Sequence, residues 1–216
     1  MIFYNTIDKL IELQVSEWKS QYDSLGKDKE GLVSIDEFSL EHFKIISLIG
    51  GRFFDGSKNI NFDQYCLYMM LPTDQENSYG TNENRIKNAF GDYCKIRKSE
   101  PNELIKISDF IAKNNGFLTN DQFEEILKPM SKALSCDFHP GEINYKQFKE
   151  IVESILAFSL MDKDHNSSLS CKEVKIFLKM MGKYNRSEDE VRKFFDSHDI
   201  DNDGDVSLYE FLLTKY

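Results

Sequence analysis

The sequence predicts an all-α fold of repeated helix–loop–helix units, with two-residue β-bridges joining paired loops. Three observations predict it. Two twelve-residue loops near the C-terminus carry oxygen side chains at alternate positions. The stretches before them place apolar residues at helical spacing. A shorter marker recurs along the chain: a branched apolar residue, an acid or amide four positions on, then an aromatic or branched apolar residue.

The last loop reads Asp-x-Asp-x-Asp-Gly-x-x-x-x-x-Glu from Asp199 to Glu210. A hard divalent cation such as Ca²⁺ takes about 6–8 oxygen ligands, and this spacing supplies them. Asp199, Asp201 and Asp203 offer one side-chain oxygen each, Asp205 its backbone carbonyl, Ser207 a contact through water, and Glu210 two oxygens that close the site. Gly204 takes the sharp turn because glycine adopts positive φ without steric penalty. Val206 is the bridge residue. Ahead of the loop, Ser187 and Glu190 form a capping box, and Val191, Phe194, Phe195 and His198 share one helical face. Phe211, Leu212 and Leu213 begin the exit helix.

These residues resemble an EF-hand, and the resemblance implies reversible Ca²⁺ binding. A second such loop runs from Asp162 to Glu173, with Asp162, Asp164, Asn166, the Ser168 carbonyl, Ser170 and Glu173 in the same roles and Leu169 as bridge residue. It departs from the pattern at its sixth position, where Ser167 replaces glycine. A non-glycine residue in a left-handed turn costs roughly 1–2 kcal/mol. This loop also carries fewer acidic ligands, so it is expected to bind more weakly than the last. Two Ca²⁺ sites are predicted in all.

The net charge of −10 argues against nucleic-acid binding through phosphates. Two Ca²⁺ would bring it to about −6. Cys66, Cys94, Cys136 and Cys171 are far apart and form no CxxC, so reduced thiols in a cytoplasmic setting are expected. No apolar run approaches a membrane span of about 20 residues. Met1 to Asn5 shows no signal-peptide pattern, and neither Ile2 nor the final Leu-Thr-Lys-Tyr suits lipidation. A soluble monomer is expected.

The marker occurs six times: Val33 with Glu37 and Phe38, Ile60 with Gln64 and Tyr65, Ile105 with Asp109 and Phe110, Ile143 with Gln147 and Phe148, and the two intact loops. Six hands are therefore predicted, of which four have lost their ligands. In the first loop, Gly26 to Glu37, Gly26 stands where the first ligand is needed, while Asp28, Glu30, Gly31 and Glu37 remain. Weak binding there stays open. The second loop, near Asp55 to Ile60, is short. The third, near Cys94 to Asp109, and the fourth, near Ser131 to Gln147, are long, and the fourth contains Pro140. A cation cage needs its oxygens in register, so these three are expected to be metal-free props.

Matched spacings suggest two three-hand halves. Residues 1–115 would hold three degenerate hands. Residues 116–216 would hold one degenerate hand (about 119–157) and two intact ones (149–184 and 186–216). Three consecutive pairs is the alternative. Single helices are expected over about Asp36 to Arg52 and Asn144 to Met161, with breaks at Pro72 and Pro129 and a linker from Thr73 to Asn84.

No enzyme motif is present. Gly50 to Gly56 lacks the trailing Gly-Lys-Ser/Thr of a phosphate loop, and the four histidines do not cluster. Met180 and Met181 are expected to be core rather than a target groove. The reading is a calcium buffer or store-associated protein. The alternatives are a sensor that grips a target helix and a scaffold subunit acting through the degenerate half. The chain also resembles the grainin group of protist EF-hand proteins, which implies association with intracellular granules or vesicles.

Overall fold

A computed structural model describes residues 6–34, 59–69, 83–94, 104–114, 118–180 and 187–216. The described residues are mostly helical. In chain order they form α1 (Thr6–Ser24), β1 (Val33–Ser34), β2 (Asn59–Ile60), α2 (Phe62–Met69), α3 (Glu83–Cys94), β3 (Ile105–Lys106) and α4 (Ile107–Lys113). There follow α5 (Asn120–Ala133), β4 (Glu142–Ile143), α6 (Tyr145–Met161), β5 (Ser168–Ser170), α7 (Cys171–Met180), α8 (Glu188–Asp196), β6 (Asp205–Ser207) and α9 (Leu208–Leu213). This is the all-α class expected, and the strands are the short bridges between loops.

The strands pair antiparallel as β1 with β2, β3 with β4 and β5 with β6. In register, Val33 faces Ile60, Ile105 faces Ile143 and Leu169 faces Val206. All six bridge residues are at most 2 % exposed. Halves divided at residue 115 and three consecutive pairs are the two arrangements the sequence leaves open. The third and fourth loops pair across that boundary, and the pairing follows three consecutive couples. The reason is local: a lone loop leaves its bridge N–H and C=O groups unpaired and its branched side chain in water, and the next loop along the chain covers both. The contacts group into one unit of Met1–Leu13, Thr81–Phe158 and Leu208–Tyr216, and another of Gln14–Gly80 and Ser159–Ser207.

The first unit is built on the third and fourth hands. Phe110 meets Phe123 edge-on with centroids 5.3 Å apart, and Phe148 packs against Phe90 at the same separation. Ile126, Leu127, Met130 and Ile151 are fully buried beside them. Each such side chain contributes about 1.5–3 kcal/mol through burial. The capping box of Thr119 and Gln122 starts α5. Pro129 lies inside this helix rather than ending it. It removes one N–H from the ladder, but the buried residues on both sides hold the last turn in place.

The exit helix of the sixth hand belongs to this unit. Leu212 of α9 is fully buried in its core, with Leu208, Tyr209, Leu213 and Tyr216 packed around it. Lys215 ion-pairs with Glu150 of α6 and donates to Ser154 Oγ at 2.9 Å. Burial alone would raise the Glu150 carboxyl, but the hydrogen bonds from Lys215 and Tyr216 and the charges of Lys215 and Lys149 together outweigh it and hold the group below its ordinary value of 4.5. A lowered folded-state value stabilises the fold above the ordinary value. That contribution is lost as the pH falls through the folded value. Thermal unfolding should therefore show an acid-side loss of stability below pH 4.5 that is smaller in Glu150→Gln.

The second unit, Gln14–Gly80 and Ser159–Ser207, holds the first and second loops, the fifth loop with α7, and α8 with the sixth loop up to Ser207. Trp18 of α1 is fully buried. Tyr22 Oη lies 2.9 Å from the carbonyls of both Gly31 and Ile60, which ties the first loop to the second. Its ring packs against Phe62 and Tyr65 of α2, 5.5 Å away in each case. The residues expected as a helix from about Asp36 to Arg52, Pro72 and almost all of the Thr73 to Asn84 linker, and Met181 with the Met180 side chain, lie outside the described residues. The helix expected from Asn144 to Met161 is α6.

Candidate metal centre

In the fifth loop, α6 delivers Asp162 and α7 carries Glu173 in its first turn. Both are buried, at 6 % exposure. Between them the chain turns back around its own acids. Asp162 accepts from the backbone N–H groups of Asn166 at 3.1 Å and Ser167 at 2.9 Å. Asp164 accepts from Asn166 N–H at 3.2 Å, and Asn166 Oδ1 accepts from Ser168 N–H at 2.8 Å. Glu173 reaches back to Lys163 N–H at 2.8 Å and to Ser170 N–H at 2.9 Å, closing the ring. Burial would raise its carboxyl, but the donors of Ser170, Lys163 and Asp164 outweigh it and keep it below its ordinary range.

The sixth loop repeats the winding. Asp199, buried at the end of α8, accepts from Asp203 N–H and Gly204 N–H, both at 3.1 Å. Asp201 accepts from Asp203 N–H at 3.1 Å, and Asp203 from Asp205 N–H at 2.9 Å. The capping box of Ser187 and Glu190 sets the start of α8, and Val191 and Phe195 form its buried stripe. Glu210, in the first turn of α9, is buried at 4 % exposure.

Ligand atoms of Asp162, Asp164 and Glu173 all lie within 4.8 Å of one another, as do those of Asp199, Asp201 and Asp203. Like charges at that distance repel, with water screening part of the repulsion at the exposed Asp164, Asp201 and Asp203. A divalent cation at the centre removes this repulsion. All the donors are hard oxygens, which suits Ca²⁺. Among the described residues, these are the two acidic or thiol–imidazole groupings close enough to hold an ion.

The loops differ where the sequence marks a difference. Gly204 has φ +97° and Ser167 has φ +69°, so the serine occupies a turn that favours glycine. The fourth position is left-handed in both loops, with His165 and Asn202 each at φ 58°. The His165 side chain is exposed. Ser170 and Ser207 occupy the bridging strands, opposite Asp205 and Ser168.

In two of the degenerate loops a neutral amide stands at the closing position. In the fourth, Gln147 takes the place of the closing glutamate. Its Oε1 accepts from Asn144 N–H at 2.9 Å, its own N–H donates to Asn144 Oδ1 at 3.0 Å, and its Nε2 donates to Ser131 Oγ at 2.7 Å. Asn61 and Gln64 form the same reciprocal box in the second hand. A neutral amide satisfies itself in this way and offers no charge to a cation. In the first loop, Asp28 is committed to Glu30 N–H, Leu32 N–H and Asn59 Nδ2, each at 2.9 Å. Glu37 lies outside the described residues. The amide boxes are legible as Asn-x-x-Gln once the box is sought, whereas the ion pair of Lys163 with Asp63 of α2, at 2.9 Å, has no sequence signature.

Two loops of this winding, coupled by β5 and β6 and flanked by helices, define a helix–loop–helix metal-binding pair. The family model for the EF-hand domain pair matches residues 152–213. Residues 152–213 are thus similar to an EF-hand domain pair. Calcium-binding protein CML19 of Arabidopsis thaliana is 28 % identical over 119 residues, covering 54 % of this chain and 70 % of that protein. Calcium-binding protein LPS1-alpha of Lytechinus pictus is 23 % identical over 228 residues, covering 94 % of this chain and 66 % of that protein. Putative calmodulin-like protein 6 of Oryza sativa subsp. japonica is 22 % identical over 168 residues, covering 72 % of this chain and 93 % of that protein.

Proposed function

We propose that the fifth and sixth loops each bind one Ca²⁺ and that the chain acts as a calcium buffer or store-associated protein. Asp162, Asp164, Asn166, Ser168, Ser170 and Glu173 would hold the first ion. Asp199, Asp201, Asp203, Asp205, Ser207 and Glu210 would hold the second. The reading rests above all on the convergence of acidic ligand atoms to within 4.8 Å in both loops. An ion held there is enclosed by protein oxygens, an arrangement that favours binding over catalysis.

Buffering is favoured over sensing by the state of the apolar surface. The core of the third and fourth hands is filled by Leu212 and its neighbours from α9. Among the described residues, the exposed large apolar side chains are Leu13, Ile176 and Ile200, which sit on different elements and form no patch by sequence position. No described helix is long and apolar enough to cross a membrane. A monomer in the cytoplasm, associated with granules or vesicles as the grainin resemblance implies, belongs to the same proposal. Chromatography on a hydrophobic resin tests the choice: a buffer elutes alike with and without Ca²⁺. Retention that appears only with Ca²⁺ means a sensor for a target helix, and partner association that survives a chelator means a scaffold.

A further inference from the structure

We infer that the cleft walled by the long fourth loop binds a small organic anion, an aromatic ring bearing an acidic group. The cleft lies wholly within the first unit and has a volume of about 830 Å³. Small-molecule sites span roughly 300–1,000 Å³. Part of the lining is apolar. Phe90 of α3, Leu104 ahead of β3 and Tyr145 of α6 contribute it, and the Phe90 and Tyr145 rings meet edge-on at 5.3 Å. The charged lining comes from two of the same helices. Lys87 of α3 and Lys146 of α6 face the cleft, against the single carboxylate of Asp137. This cationic excess runs against the chain as a whole, whose net charge is −10. Aromatic surface beside ammonium donors suits an aromatic carboxylate, sulfonate or phosphate.

The wall is held from several sides. Cys136 N–H donates to the Ser131 carbonyl at 3.0 Å, and Glu142 N–H to that of His139 at 3.1 Å. The Gly141 carbonyl accepts from Ile107 N–H at 2.9 Å, and the Asp137 carbonyl from Asn144 Nδ2 at 3.2 Å. Ser135 turns the chain into the wall at φ 49°, a left-handed conformation that strains a non-glycine residue. A strained turn fixed by the surrounding scaffold marks a loop with a use of its own. That use is not metal binding. Cys136, Asp137 and His139 share the lining, but among the described residues the groupings close enough to hold an ion are those of the fifth and sixth loops.

Naphthalenesulfonate and naphthol share a ring system and differ in charge near neutral pH. Calorimetry with both on the full chain in a chelator tests the cleft independently of calcium. The sulfonate should bind at a single site, about ten-fold more tightly than naphthol, because a hydrogen bond to a charged group exceeds a neutral one. Lys87→Gln combined with Lys146→Gln changes two exposed side chains. It should bring the sulfonate down to the affinity of naphthol and leave naphthol unchanged. Bound sulfonate should also slow alkylation of Cys136 by iodoacetamide, read by mass spectrometry, and leave Cys171, the other partly exposed thiol, unaffected. Absence of saturable binding, equal affinity for the two ligands, a preference that survives the double variant, or an unprotected Cys136 would each overturn the inference.

Discussion

Glu210→Gln is expected to leave one calcium site per chain, the weaker one, and Glu173→Gln to leave the tighter one. Each substitution removes a charge and one of the two oxygens that close the ring. Loss of an outer-shell partner already lowers metal affinity by about 10–100-fold, so loss of a direct closing ligand should exceed that. The order of the surviving sites follows from the turn. Ser167 at φ +69° carries the strain that Gly204 avoids at φ +97°. A penalty of roughly 1–2 kcal/mol corresponds to roughly 5–30-fold in affinity. Asn166 in the fifth loop also stands where the sixth has the charged Asp203, which acts in the same direction. Titration of the two variants reads the order directly. A tighter surviving site in Glu210→Gln would reverse the assignment.

The second large effect is on stability. A ligand that binds the folded chain alone stabilises it by about 2.7 kcal/mol per site at a hundred times its Kd. Two sites together supply about 5 kcal/mol. For a chain of this length each kcal/mol raises Tm by roughly 2–4 °C, so saturating Ca²⁺ should raise it by about 10–20 °C. The acids explain why the gain is so large. Without a cation, three carboxylates in each loop face one another within 4.8 Å, and folding must bring them there. Each of the two glutamate variants should lose about half of the shift. A calorimetric scan that shows no change in Tm would mean that the loops do not take the ion under conditions where they are folded.

Much of the local structure was legible because it depends on residues close in sequence. The bridge marker picked out Val33, Ile60, Ile105, Ile143, Leu169 and Val206, and all six are buried in β-pairs. The capping box of Ser187 and Glu190 placed the start of α8, since both partners lie within one turn. The grouping of hands was not legible. Six near-identical markers carry no label for their partner, and pairing is decided by contacts far apart in the chain. Ile105 thus pairs with Ile143 across the boundary that spacing had suggested. Pro129 misled for a related reason: its local preference is to end a helix, and burial of Leu127, Met130 and Ser131 overrides it. The seating of α9 was equally hidden. Leu212 reads as the apolar face of a sixth-hand helix, and nothing in its neighbours announces that it fills the core of the third and fourth hands.

In the candidate site, the alternation of acids marked the two loops, and their backbone donors wind as that pattern requires. The fate of the eroded loops was harder to read. Gln147 and Gln64 had lost a charge, which was visible. That each forms a reciprocal amide box with an asparagine three residues earlier became clear only from the hydrogen bonds. The intact fifth loop makes the same box between Ser170 and Glu173, so what the eroded loops change is the charge of the closing residue.

Calorimetric titration of the wild-type chain with Ca²⁺ in excess Mg²⁺ tests the central claim most directly. Two Ca²⁺ per chain, taken up against the competing ion, is the predicted result. Uptake of none, or continued uptake beyond two that survives both Glu173→Gln and Glu210→Gln, would contradict it.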